Sequence, residues 1–185
     1  MEGDKDKIAD VKTQFIDKIA DNMSSFGVST SVGRVLGIIY MKRSPMTLDE
    51  LSAETGMSKT RMSQVVREMI DLNIAERVFQ KGVRKDLYQV EQDYYQTFVS
   101  LFTSTWRKAI NKSKHFEQKL QGKLKDLQED HPLTEADEQA VDEILAEILE
   151  WMDYYDWIKR LTEFFESGEI FNHVPKNRQG GNHLE

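Results

Sequence analysis

Two helix-start signals lying close together constrain the fold of this chain more than anything else in it. Thr47 is followed three residues later by Glu50, the capping-box pattern in which hydroxyl and carboxylate each satisfy an orphan amide at a helix start. The helix that begins there must be short, because Gly56 breaks it and Ser58 then offers its side-chain oxygen as the N-cap of a second helix. Two helices joined through so tight a turn make a helix-turn-helix. The second helix carries Met62, Val65, Val66, Met69 and Leu72 at spacings of three and four, an apolar face ready for burial. Its opposite side holds Lys59, Thr60, Arg61, Ser63, Gln64 and Arg67, with no acidic residue before Glu68. Asn73, tolerant of left-handed backbone, is the expected stop.

Residues 74–80 and 86–90 supply Val, Phe, Tyr and Leu, and Lys81, Gly82, Val83, Arg84 and Lys85 separate them. This predicts a hairpin with glycine at its bend and three cations around its tip. Helix-turn-helix and hairpin together make a winged head. The polar residues of the second helix suit duplex DNA: Arg pairs bidentately with guanine, Gln with adenine, and Ser, Thr or Lys with bases or backbone. Ser58, Lys59, Thr60, Arg61, Ser63, Gln64 and Arg67 are therefore the expected DNA-reading set, joined from the hairpin by Lys81, Arg84 and Lys85. The hairpin would lie along the backbone or place Arg84 in the minor groove. The plain alternative is an ordinary solvated hairpin after two core helices.

The remaining chain is helical in pattern. Ile8, Val11, Phe15, Ile19, Met23 and Phe26 repeat at helical spacing over residues 6–25, ended by Gly27. That helix has two uses open to it, packing on its own head or pairing with a second subunit. A further helix over residues 31–43, capped by Ser29 or Thr30, turns Val32, Val35, Leu36, Ile39 and Tyr40 inward. Gly33 and Gly37 lie four apart on one face, where missing side chains let another helix approach closely. After Glu91, Tyr95, Phe98, Phe102, Trp106, Ala109, Ile110, Phe116, Leu120, Leu124 and Leu127 hold a helical period for about nine turns, with Gly122 a candidate bend. His131 and Pro132 mark a turn. Thr134 and Asp137 start a last helix with the stripe Val141, Ile144, Leu145, Ile148, Trp151 or Met152, Tyr155, Ile158, Leu161 and Phe165. Two such helices form an antiparallel hairpin with more apolar surface than one subunit buries, so a dimer interface is its expected use.

The expected fold is thus mainly α: a winged helix-turn-helix domain with a small β-hairpin wing, plus a long C-terminal α-helical hairpin for dimerisation. Expected divisions are 1–28, an N-terminal helix packing on the head or at a dimer interface; 29–92, the DNA-binding head; 93–168, a helical dimerisation and effector region; and 169–185, a flexible tail. Leu184 and Glu185 read as a remnant of cloning.

Composition then narrows the function. A formal charge of -7 looks wrong for a DNA-binding chain, but the acidic excess is concentrated in Glu129, Asp130, Glu135, Asp137, Glu138, Asp142, Glu143, Glu147 and Glu150. Screening beyond about 8 Å makes the local field the relevant one. With no cysteine, disulfides and thiolate chemistry are excluded. No apolar run approaches the roughly 20 residues that cross a bilayer, and the charged start, residues 1–7, does not lead into a signal peptide. A cytoplasmic protein is expected.

At this point a resemblance emerges. The stretch Gly33-Arg34-Val35-Leu36-Gly37-Ile38-Ile39-Tyr40, then Met46-Thr47-Leu48-Asp49-Glu50-Leu51, Ser58-Lys59 and Gly82-Val83-Arg84-Lys85-Asp86-Leu87-Tyr88 resembles the GbsR branch of the MarR-like winged-helix transcription regulators. It covers residues 8–95, and its specificity lies in the run of motifs in order rather than in any one of them. The resemblance implies a homodimeric bacterial repressor on a pseudo-palindromic operator, with residues 58–72 as recognition helix and 82–85 as wing. It also implies control of uptake or synthesis of osmoprotectants such as glycine betaine, with choline as a sensed ligand. Asn73 departs from a glycine common in the family.

Outside the head, Trp151, Tyr154, Tyr155, Trp157, Phe164 and Phe165, with Trp106 opposite, form the most informative cluster. Aromatic faces attract quaternary ammonium groups, so Trp106, Trp151, Tyr154, Tyr155 and Trp157 are the candidate site for a choline-like effector. The competing use of these rings is core and dimer packing. Met57, Met62, Met69 and Met152 read as core filler. His115, His131, His173 and His183 lack metal-ligand spacing, so no metal and no cofactor are expected. Glu147 and Glu150 lie on a solvated helix, and no phosphate loop or activated nucleophile is recognisable, so no catalytic residue is assigned and the chain is not expected to be an enzyme. The second reading is a winged helix used for protein interaction within a larger assembly. Such a module would be free to lose Lys59, Arg61, Arg67 and Arg84 together.

Overall fold

A computed structural model describes residues 2–130 and 132–177. Contacts divide the chain into two compact units, one running to Ser104 and one starting at Thr105. The first contains α1 (Glu2–Ser24), α2 (Thr30–Lys42), β1 (Met46–Thr47), α3 (Leu48–Thr55), α4 (Lys59–Asp71), β2 (Ala75–Val78) and β3 (Leu87–Val90). It also takes in the beginning of α5 (Tyr94–Asp130). The rest of α5, α6 (Glu135–Glu166) and the short α7 (Ile170–His173) belong to the second.

Each expected cap forms. Ser29 accepts from the Val32 amide at 3.4 Å and starts α2. Thr47 and Glu50 close the capping box of α3, the Thr47 amide donating to the Glu50 carboxylate at 2.8 Å. Gly56 ends α3 at φ 72, the left-handed region glycine enters without penalty. Asn73, at φ 55, follows α4 as expected. Gly33 and Gly37 do bring helices together: a Cβ on Gly33 would stand 2.6 Å from Ala20 Cα, and one on Gly37 3.2 Å from the Ile16 side chain. The close partner is α1.

The core of this unit gathers Val32, Val35, Leu36, Ile39 and Tyr40 of α2, Leu51 of α3 and Met62, Val65, Val66 and Met69 of α4. Leu101 of α5 joins them. Three antiparallel strands flank it in the order β1-β3-β2. The hairpin register pairs Ala75 with Val90 and Val78 with Leu87. The two-residue β1 pairs Met46 with Tyr88 and Thr47 with Leu87, a strand too short for any sequence period to announce.

The stripe expected at the start of α5 is not the buried one. Tyr95 and Phe98 are exposed, whereas Thr97, Val99, Leu101, Thr103 and Ser104 are buried. The reason is hydrogen bonding: the Tyr40 and Thr97 hydroxyls share a 2.6 Å bond. The Ser104 hydroxyl donates to the Leu72 carbonyl at 3.1 Å while accepting from the Asn73 side-chain Nδ2 at 3.2 Å. Buried polar groups with partners cost little, so small hydroxyls can face a core.

In the second unit α5 and α6 run antiparallel, since Arg107 is ion-paired to Glu166 at one end and Phe116 meets Trp151 at 6.2 Å further along. Thr134 and Asp137 form the expected capping box. Val141, Ile148, Met152 and Ile158 are buried, so Met152 rather than Trp151 faces inward, and Ile144 is exposed. α5 continues through Gly122 as helix. Residues from Ile170 to His173, expected to be loose, form a helical turn after Gly168. Residues 178–185, including the supposed cloning remnant, lie outside the described residues.

Candidate nucleic-acid interface

The recognition surface begins with the cap of α4. Ser58 Oγ accepts the Arg61 amide at 3.3 Å, which commits one lone pair and leaves the hydroxyl proton free to donate. Met62, Val65, Val66 and Met69 then face the core with at most 2% exposure. That fixes the rotation of the helix. Lys59, Thr60, Arg61, Gln64 and Arg67 project to solvent together, and Ser63 is half-buried at the edge of the same face. All seven predicted helix residues therefore sit where α4 can be approached, and no acid occupies its first turn. A helix start of this kind favours anions through its unpaired amides and dipole.

The wing turns at 80–83, where the Val83 amide donates to the Gln80 carbonyl at 3.1 Å and Gly82 takes φ 87. Lys81, Arg84 and Lys85 are exposed around it. Arg77 and Asp86 tie the strands together at 2.6 Å, and the Arg77 guanidinium lies 5.2 Å from the centre of the Phe79 ring. Phe79 is 85% exposed, a large apolar ring beside the cationic tip that sequence reasoning passed over.

Sequence reasoning also missed Asp49. Its carboxylate holds Lys59 Nζ at 2.5 Å through one oxygen and Lys85 Nζ at 2.6 Å through the other. These bonds, Lys59 first, lower its pKa to about 2. The β1 to β3 pairing makes this reach possible, because it sets the first turn of α3 beside the base of the wing. No local pattern could have announced it: the three residues belong to three separate elements.

The expected effector rings lie on α6, apart from Trp106, which is half-buried on α5. Trp151 and Tyr155 pack edge to face at 5.0 Å, Tyr154 and Tyr155 at 5.3 Å, and Tyr154 and Trp157 stack at 6.5 Å. Trp151, Tyr154 and Trp157 remain exposed. A different set of rings encloses space in the first unit. A cavity of about 320 Å³ is lined by Phe15, Phe26, Tyr40, Tyr94 and Phe98, together with Leu36. Tyr40 and Tyr94 stand 4.8 Å apart there, and burial pushes the Tyr40 phenol up to about 12 against the opposing pull of the Thr97 hydrogen bond. Among the described residues no group of three His, Asp or Glu could hold a metal ion, and no helix is long and apolar enough to cross a membrane.

A capped helix with a cationic face, set beside a cationic wing, defines a winged-helix transcriptional regulator. The comparisons with known proteins agree. Residues 94–172 match the C-terminal helical hairpin of GbsR family transcriptional regulators, and residues 26–86 match the MarR family. The HTH-type transcriptional repressor OpcR of Bacillus subtilis (strain 168) is 60% identical over 94% of this chain and 94% of its own. The repressor GbsR of the same organism is 34% identical over 86% of this chain and 88% of its own. A crystal structure of a transcriptional regulator superposes with TM-score 0.56 at 16% identity, covering 84% of this chain and 98% of that one, which speaks for the fold. The chain belongs to the GbsR family, helical hairpin and winged head included, and is a transcriptional repressor of the MarR/GbsR type rather than an enzyme.

Proposed function

We propose that this repressor works in the cytoplasm as a homodimer, placing two copies of α4 in successive major grooves of a pseudo-palindromic operator, about 34 Å apart. The genes it silences are those for osmoprotectant uptake or synthesis. The observation that supports this reading best is the convergence of Lys59 and Lys85 on one carboxylate, since it brings the start of α4 and the base of the wing to a single surface. Arg61, Ser63, Gln64 and Arg67 would read bases, while Ser58, Lys59, Thr60, Lys81, Arg84 and Lys85 hold phosphates. Self-association is supported by apolar side chains left in solvent: Ile8 and Val11 on α1, and Ile144, Leu149 and Trp157 on α6.

Relief of repression would come from a small quaternary-ammonium effector that prefers the spacing unable to bind DNA. Both the α6 rings, with Trp106, and the Phe15, Phe26, Tyr40, Tyr94 and Phe98 cavity offer aromatic faces for it. The test is a gel-shift titration against fragments upstream of compatible-solute transporter genes, with and without millimolar choline. Retarded fragments released by choline support the whole reading. Equal retention of transporter and unrelated fragments would overturn the choice of genes. Choline that leaves both retention and Trp fluorescence unchanged would remove the effector. A change in Trp emission lost in Trp157→Phe, but not in Tyr94→Phe, assigns the α6 rings.

A further inference from the structure

A surface that meets a polyanion gains by keeping its cations free, and Asp49 does the opposite. It occupies the first turn of α3, faces a cleft of about 390 Å³ lined also by Lys59, Arg84 and Lys85, and takes both lysines at hydrogen-bond distance. Stability explains only part of the placement: the helix dipole favours an acid in the first turn of α3, but that effect requires neither lysine. The capping box is made by Thr47 and Glu50 without it, and an ion pair between side chains this exposed adds little. The cost falls on binding, because a fixed negative charge lies amid the cations that a DNA backbone would approach.

We propose that Asp49 is an affinity-setting residue, its carboxylate standing in for a backbone phosphate between Lys59 and Lys85 in the free protein, so that duplex DNA must displace it to engage those two cations. The inference rests on α4 and the wing being the DNA-binding face. Each lysine then exchanges one anionic partner for another, so the sequence-independent part of the affinity is held down. Binding is left to depend on the residues that read bases. The carboxyl is ionised at any pH at which DNA binds, since the two ammonium groups hold it well below the ordinary carboxylate range. Asp49 in turn raises the Lys85 ammonium, which stays charged for the exchange.

The experiment titrates full-length protein into a labelled 30-base-pair duplex of arbitrary sequence, read by anisotropy between about 25 and 150 mM KCl. Asp49→Asn should bind about fivefold tighter at 100 mM, with a log-log salt slope steeper only to the extent that the carboxylate still holds the lysines in the wild-type complex. Glu54→Gln, on the same helix, removes the same net charge and should shift affinity less than about twofold. In a Lys85→Gln background the gain from Asp49→Asn should shrink by about half, because one of the released cations is gone. Asp49→Ser, neutral and well suited to a helix start, should reproduce the tightening if the asparagine form melts early. Affinity that is unchanged or weaker in both neutral variants, with wild-type binding intact, overturns the proposal and leaves the DNA-binding reading standing. If neither wild type nor variants retain duplex at 25 mM, both fail.

Discussion

Replacing Gly33 by alanine tests the α1 to α2 contact that walls the head. In open helix the change would help, since alanine is favoured over glycine by about 1 kcal/mol. Here the new Cβ would lie 2.6 Å from Ala20 Cα, 3.0 Å from the Ala20 carbonyl oxygen and 3.0 Å from Met23 Cβ. Carbon atoms pack at about 3.5 to 4.0 Å, so α1 must retreat by roughly 1 Å. Its own backbone is the obstacle, and no rotamer change relieves it. Overpacking costs about 1 to 3 kcal/mol, and a backbone clash belongs at the upper end. Less the propensity gain, the net loss is about 2 kcal/mol, or a melting temperature lower by about 4 to 8 °C for a chain of this size. Thermal melts followed at 222 nm supply the measurement, with two companions. Gly37→Ala, whose Cβ would be 3.2 Å from an Ile16 methyl and 3.3 Å from Ile16 Cα, should lose less. Gly122→Ala meets nothing within 4 Å and should be neutral or stabilising. A Gly33→Ala protein that melts at or above wild type would refute the close-approach argument.

Three further outcomes follow from the same geometry. Tyr40→Phe should remove a phenol step near pH 12 from the 295 nm titration. Because the folded value lies above the ordinary 10.0, stability contributed by the neutral phenol is whole below pH 10 and lost as pH rises through about 12; an unchanged titration curve would count against the buried assignment. Asn73→Ala loses the bond to Ser104 and forces a residue with Cβ but no polar compensation into φ 55, at a cost of about 1 to 2 kcal/mol in urea unfolding. Asn73→Gly loses only the bond and should fall between wild type and alanine, so alanine outlasting glycine would contradict the backbone argument. Arg61→Ala should weaken operator binding by about 1 to 3 kcal/mol and relax selectivity at one base position; an even loss across all sequences would make it a phosphate contact instead.

What could be read from the chain was whatever local physics controls. Caps at Ser29, Thr47, Ser58 and Thr134, and the apolar face of α4, depend on neighbours within one turn, and each appeared where its residues put it. What could not be read depended on partners far along the chain. Thr97 and Ser104 look like surface residues until Tyr40 and Leu72 arrive as hydrogen-bond partners, so the expected face of α5 was displaced by polar residues with somewhere to go. β1 exists because β3 comes to it, and Asp49 meets Lys85 across 36 positions for the same reason. The cationic side of α4 was legible because burial of the opposite side leaves it no other orientation. The acid at its edge was not.

Net charge is a poor guide to such a surface. With a charge of -7, the whole chain ought to repel DNA, yet at physiological salt a charge is felt over about 8 Å. The proposed DNA-contacting cations Lys59, Arg61, Arg67, Lys81, Arg84 and Lys85 are accompanied by Asp49 and Asp86, whose carboxylates are already paired, and by Glu50, which is close enough to act on Lys85. If Lys59, Lys81, Arg84 and Lys85 of two heads all engaged phosphates, about seven counterions would leave the duplex, and affinity would fall roughly ten-thousandfold from 50 to 200 mM salt. If Asp49 kept Lys59 and Lys85 for itself, release would drop to about half that number. The wild-type slope therefore measures how far the carboxylate is pushed aside, and with it how much of the binding is left for the bases to decide.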